Sequence, residues 1–305
     1  MKSIVRIAGR GWRHGLAALA LWSLSLVAAH AQDAGALRAR HAAQREQLAG
    51  NHFKRPLTLE STQNANDLKG EVYAVIEQPF AVVAPALQSM EEWCDLLILH
   101  LNVKGCSTSG KAPNELLSLI VGRKFDQPLD EAYRIEFNFS SNPPGTDYFK
   151  MQMTADTGPL STRNYRLALE AVALDAKSTF VHMSYSYAYG MAARMAMQGY
   201  LATVGRDKVG FSIVGKGDDG APIYVDGVRG VVERNTMRYY LAIDAYLGAL
   251  SSPPAEQLEK RLRDWYDAAN SYPRQLHEME RDDYLAMKRR EVQRQQAVNK
   301  GAKPG

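Results

Sequence analysis

YRIEFNF, residues 133–139, sets Tyr133, Ile135, Phe137 and Phe139 on one side of an extended chain and Arg134, Glu136 and Asn138 on the other. Strict alternation of this kind marks a β-strand with one face in a core and one in water. The same phase resumes after the turn Asn142-Pro143-Pro144-Gly145, where Phe149, Met151 and Met153 alternate. Beyond Gly158-Pro159, Tyr165, Leu167, Leu169 and Ala171 alternate with Arg166, Ala168 and Glu170. A turn at 174–178 leads to a last strand whose one face carries Val181, Met183, Tyr185, Tyr187 and Tyr189. Alternation through successive hairpins predicts an antiparallel sheet with one buried face.

Working outward, NELLSLIVGRKF (114–125) supplies another strand, and LTLEST (57–62) and KGEVYAVIEQP (69–79) read as extended. Between them and the meander, 80–99 carries Val83, Leu87, Met90, Cys94 and Leu97 at three- and four-residue spacing, predicting an amphipathic helix. Its acids Glu91, Glu92 and Asp95 fall on the other face, as solvated groups. Residues 33–49 predict a short polar helix ending at Gly50, and 190–204 a Met-rich one. Residues 209–230 read as a hairpin turning at Asp218-Asp219-Gly220, leading into a helix at 231–250. Two charged helices, 255–269 and 273–296, precede a disordered GAKPG end. The fold class is therefore α+β: a curved antiparallel sheet of six to seven strands gripping a long helix, with extra C-terminal helices.

At the other end, Lys2, Arg6, Arg10 and Arg13 precede an apolar run from Leu16 to Ala28 and a small-x-small site at Ala29-His30-Ala31. Together these make the three parts of a secretory signal, too short in its apolar run for a spanning helix. Cleavage after Ala31 and a periplasmic location are expected. Removing those four basic residues takes the 37 Lys and Arg down to 33, equal to the 33 Asp and Glu. A formally neutral mature chain lacks the basic excess of a nucleic-acid binder, and that class is set aside. In an oxidising compartment the two cysteines, Cys94 and Cys106, are candidates for a disulfide, with two buried thiols as the alternative. The expected division is 1–31 signal peptide, 32–64 N-terminal helix and lead-in, 65–250 ligand-binding domain, and 251–305 charged C-terminal helices and end.

Several motifs invite a catalytic reading and fail it. GKGDDG (215–220) matches GxGxxG, but the residues after it, APIYVDG, are extended and two acids sit in the loop, so it reads as a hairpin turn. His277-Glu278 lacks the second histidine of HExxH and reads as helix surface. No metal or cofactor is expected. His182 alternates onto the face opposite Met183 and Tyr185, an outer-face position.

The Tyr/Met stripe is the candidate site. Ordinary strand cores lean on Leu, Ile and Val, whereas Phe137, Phe139, Met151, Met153, Met183, Tyr185 and Tyr187 supply adaptable thioethers and rings with polar tips. With Met237 and Tyr240 of the following helix, they are expected to line a lipophilic cavity; plain core packing is the competing account.

The stretch EVYAVIEQPFAVVAPALQSMEEWCDLL (71–97), with Trp93 near its end, resembles the opening strand and helix of the START-like, or SRPBCC, helix-grip superfamily. The order of elements over 65–250 resembles it too. That resemblance implies a sheet wrapped around a long helix with a hydrophobic pocket between them, in a family of lipid-transfer domains, polyketide cyclases and hormone receptors. It leaves open whether 190–204 or 231–250 is the gripping helix, and it carries over no catalytic residue. The expected function is an exported, bacterial, soluble carrier of a lipid or other hydrophobic small molecule, with peripheral membrane contact. The alternatives are an enzyme in the same pocket, using Tyr187, His182, Arg234 and Arg238, or an envelope interaction module, whose Trp265, Tyr266, Tyr284, Leu285 and Met287 would dock on the domain or on a partner.

Overall fold

A computed structural model describes residues 33–143, 145–203 and 205–301. The expected export signal lies outside the described residues, as do residues 144 and 204 and the chain end from 302. Eight strands form one antiparallel sheet: β1 (Leu57–Gln63), β2 (Asp67–Ile76), β3 (Val103–Lys111), β4 (Asn114–Val121), β5 (Tyr133–Ser141), β6 (Tyr148–Thr157), β7 (Thr162–Ala173) and β8 (Thr179–Tyr189). Their order is β1-β2-β8-β7-β6-β5-β4-β3, so the sheet is curved and open, with β1 and β3 at its edges. The strand without alternation in its sequence is β3 (VKGCSTSGK): buried over its first four residues and exposed at its last three, it shows neither period.

The alternation of the meander holds. Tyr185 pairs with Leu167 and Met183 with Leu169, so side chains at these positions share the inner face. Only at the start of β5 does it fray, where Tyr133 is exposed. On the outer face, α1 (33–49) packs Ala34, Leu37 and Leu48 against Tyr73, Tyr148, Val172 and Phe180. The helix expected over 80–99 is two: α2 (Phe80–Gln88) and α3 (Met90–Leu97), broken where Ser89 becomes extended (φ −85°, ψ 135°). Trp93, fully buried, crosses that break by donating its indole N–H to the Leu87 carbonyl at 2.8 Å. The Cys94–Cys106 disulfide ties α3 to β3, with Cα atoms 5.2 Å apart.

After β8 come α4 (Met191–Ala202), the hairpin β9 (Ile213–Lys216) and β10 (Pro222–Tyr224), and α5 (Gly227–Ala249). The gripping helix is α5: it packs on β1, β2 and β8 and is buried nearly all round. Its close approach needs Gly70 in β2, because a Cβ there would run into the Thr236 hydroxyl. By contrast, α4 has no buried residue.

The C-terminal elements α6 (Pro254–Asn270), α7 (Pro273–Leu276) and α8 (Arg281–Gly301) pack onto this body. Trp265, Tyr266, Tyr284, Leu285 and Met287 all join the core cluster, so the aromatic face of these helices is spent within the chain. Trp265 donates to the Arg238 carbonyl at 3.1 Å and Tyr284 to that of Leu99 at 2.9 Å. Between β3 and α8, Glu291 bridges Lys104 (3.0 Å) and Lys288 (2.7 Å), all three side chains fully buried. Lys288 also donates to the carbonyls of His100 and Val103, which satisfies the ammonium in a buried site. Burial pushes its pKa down to about 8.

Candidate functional site

The curvature of the sheet keeps β7 and β8 from closing completely onto α5, and a cavity of about 320 Å³ lies between them. One wall is the sheet: Tyr165 from β7 and Tyr185, Tyr187 and Tyr189 from β8. The opposite wall is α5, through Val228, Val231, Arg234, Asn235, Arg238 and Tyr239, three- and four-residue steps along one stripe. One end is made by His100 and Asn102 after α3 and by Val121 and Lys124 at the end of β4. The cover is α4, with Ala193, Ala196, Met197 and Tyr200 inward at i, i+3, i+4 and i+7, beside Pro159, Leu160 and Thr162. Its Met191 and Met195 point outward and are 72% and 64% exposed.

The rings form a continuous apolar surface. Tyr165 and Tyr187 stack at 5.4 Å, Tyr185 lies 5.1 Å from Tyr239, and His100 stacks on Tyr239 at 4.7 Å. Burial pushes the phenol pKa values of Tyr185, Tyr187 and Tyr239 up, so all three are neutral. Buried tyrosine hydroxyls usually find a partner; among the described residues none of these three makes a hydrogen bond.

The end made by His100 and Lys124 is charged. Lys124 donates to Tyr200 Oη at 3.0 Å and to Glu278 Oε1 at 2.6 Å. Arg238 meets the same Glu278 oxygen at 2.7 Å, and Arg234 donates to the Val209 carbonyl at 3.2 Å. Burial alone would raise the Glu278 pKa; Arg238 and Lys124 outweigh it and hold the carboxyl ionised. Burial, then the charges of Arg238, Lys288, Lys124 and Lys104, drive His100 well below its ordinary pKa, so it is neutral.

Of the residues expected to line a cavity, Tyr185 and Tyr187 do. Phe137, Phe139, Met151, Met153 and Met183 lie on the same inner face but inside the packed core, where α2 covers β6 and β7 and α3 covers β3 and β4. Met237 and Tyr240 are buried on other faces of α5, one residue out of step with the lining stripe. Arg234 and Arg238 do face the cavity.

His182 faces outward. It sits between Glu71 (2.9 Å) and Glu170 (3.5 Å), with Tyr73 stacked on its ring at 4.3 Å. Glu278, read from sequence as helix surface, instead occupies the break between α7 and α8, where it is the shared counter-ion of Arg238 and Lys124. GKGDDG forms the hairpin turn as read, with Gly220 at φ +76°. Among the described residues no group of acids, histidines and cysteines is arranged to hold a metal ion, and no helix is long and apolar enough to cross a membrane.

His100, Lys124, Tyr165, Tyr200 and Tyr239 also line the cavity without having been singled out as a site. Tyr165 was legible as an inward position; His100 and Lys124 stand in irregular chain, where no period points anywhere.

No family model matches the chain, and no curated protein matches it. Solved structures similar to it include the Zhui aromatase/cyclase from Streptomyces sp. R1128, at 10% identity over 68% of this chain and 94% of that one, with a TM-score of 0.31. A START superfamily protein from Mycobacterium smegmatis is similar at 11% identity, over 45% and 92%, with a TM-score of 0.30. Human STARD10 is similar at 9% identity, over 54% and 74%, with a TM-score of 0.33.

Proposed function

We propose that this chain binds an apolar or amphipathic small molecule between the sheet and α5, and that it does so as an exported, periplasmic carrier. The observation that carries the reading is the cavity itself: about 320 Å³, walled by stacked tyrosines and roofed by a helix with no buried residue. Ligand pockets occupy roughly 300–1,000 Å³, and this one is at the small end, suited to a single chain or a fused ring system. A core would have closed over that space with branched aliphatics. A roof with no fully buried residue, packed on the core only through Ala193, opens at low cost, which eases loading. The exposed Met191, Met195 and Leu160 around it fit peripheral contact with a membrane during exchange. The tripartite leader supports export, and an aqueous compartment between two membranes gives a hydrophobic ligand no unaided passage.

Binding stands ahead of catalysis because the lining, among the described residues, holds one neutral imidazole and no carboxylate. General acid–base work needs a group free to move a proton within hydrogen-bond reach of the substrate, and the one ammonium of the lining, Lys124, is already paired with Glu278.

The test is a titration with N-phenyl-1-naphthylamine, a neutral probe whose fluorescence rises in apolar surroundings. The expected result is saturable binding at one site per chain, weakened at least about tenfold by Ala196→Trp, which fills the cavity from an exposed helix. Absence of saturable binding, or equal affinity in the variant, would overturn the reading.

A further inference from the structure

Four cations, Lys124, Lys208, Arg234 and Arg238, surround the polar end of the cavity, and among the described residues Glu278 is the carboxylate that all of them feel. The ion trio of Lys104, Lys288 and Glu291 behind His100 adds a further cationic excess. Positive charge held in a buried site calls for a compensating anion.

Two donors have no partner among the described residues. Arg238 Nε is buried and unpaired, and so is His100 Nε2. The tautomer of His100 follows from its other nitrogen: Nδ1 accepts the Asn102 backbone N–H at 3.1 Å, so the proton of this neutral ring is on Nε2. His100, 2% exposed and part of the cavity lining, therefore carries an unsatisfied N–H donor, buried directly behind the cavity wall beside guanidinium and ammonium groups. Among the described residues Arg234 hydrogen-bonds only the Val209 carbonyl and the Tyr200 hydroxyl and has no carboxylate in direct contact. Unsatisfied donors and surplus cations at one end of an apolar cavity are the recognition chemistry for an oxyanion, since a carboxylate or phosphate accepts several such bonds at once.

We propose that this end of the cavity is an anion site, and that the ligand is an amphiphile whose oxyanion head lies against His100, Arg234, Arg238 and Lys124 while its apolar body lies along the tyrosines. This rests on the cavity being a binding site at all. It adds the ligand's charge and its direction: head towards Glu278 and the C-terminal helices, body towards β8 and α4.

The experiment measures decanoate and decanol, equal in chain and different in head, by displacement of N-phenyl-1-naphthylamine from the full chain. Decanoate is expected to bind at least about tenfold more tightly. Arg234→Met and His100→Phe should each collapse that ratio towards one; two variants are used so that one that fails to fold does not decide the matter. A wild-type ratio near one while the probe binds overturns this proposal and leaves the cavity reading intact. A probe that does not bind overturns the cavity reading instead. Loss of the decanoate preference on adding inorganic phosphate at constant ionic strength would mark a site for the free anion and also overturn the amphiphile.

Discussion

Glu291→Gln should loosen the whole C-terminal layer. Glu291 accepts from Lys104 at 3.0 Å and Lys288 at 2.7 Å, and all three side chains have no exposed surface. The substitution keeps the volume and removes the charge, leaving two ammonium groups buried beside each other. Breaking a buried pair by removing one partner costs about 3–5 kcal/mol. For a domain of this size each kcal/mol moves Tm by about 2–4 °C, so the expected drop is about 6–20 °C. The deficit also has a pH signature. Burial already brings Lys288 down to about 8, and without Glu291 its folded pKa falls further below the unfolded value of about 10.4. Between those two pKa values the unfolded chain binds more protons than the folded one, so stability rises with pH. The variant enters that window earlier than wild type, and its deficit narrows between pH 7 and pH 9.

Glu259→Gln is the internal control. Glu259 pairs with Arg289 through two 2.7 Å contacts that also join α6 to α8, but this pair is exposed and should leave Tm within about 2 °C of wild type. Thermal melts from pH 6 to 9, with hydrogen exchange over 281–298, read both variants. A Glu291→Gln protein that melts with the control, or whose deficit widens with pH, refutes the argument that burial makes this contact matter.

Replacing Cys94 and Cys106 together with serine releases a loop with a sequence separation of 12 and should cost about 3 kcal/mol, read by denaturant melts with and without reductant. His182→Gln should destabilise most near pH 5. Burial alone would lower the His182 pKa; its hydrogen bonds with Glu170 and Glu71 outweigh that and raise it. Its contribution is therefore complete below about 6.5 and is lost as pH rises through the raised folded value. Glu71 and Glu170, held at about 2, keep their own contribution above about 4.3 and lose it as pH falls towards 2. A His182→Gln deficit that is flat from pH 5 to 9, or an NMR titration of His182 below 6.5, contradicts this. Gly70→Ala should cost about 1–3 kcal/mol through overpacking against Thr236, and Thr236→Ala should recover part of it in a double-mutant cycle.

The sheet was legible because its inner face obeys a period of two: the inward residues from Ile135 to Tyr189 could be placed by counting. The lining was only half legible, for a related reason. Alternation says that Met183 and Tyr185 share a face; it does not say that helices α2 and α3 cover one part of that face while the cavity takes the other. On α5 the difficulty is sharper. A helix buried nearly all round has no polar face to set its rotation, so Met237 and Tyr240 were as eligible as Arg238 and Tyr239, and one residue of phase separates core from cavity. His100, Lys124 and Glu278 come from irregular segments far apart in sequence, brought together only by folding.

That last convergence bears on what the C-terminal helices are for. Glu278 reaches Lys124 and Arg238 because α7 ends beside Arg238, where the Leu276 carbonyl faces Arg238, and because α8 is then pinned to β3 through Glu291. Without that layer the polar end of the cavity loses the carboxylate its cations share, and Arg238 loses both of its longer-range partners. The helices that looked like a charged appendage thus supply the carboxylate of the site, and under the proposed function the ion trio holding them would act on head-group preference without touching the ligand. A carrier built this way would have its apolar capacity set by the sheet and α4, and its selectivity for a head group set from the opposite end of the chain.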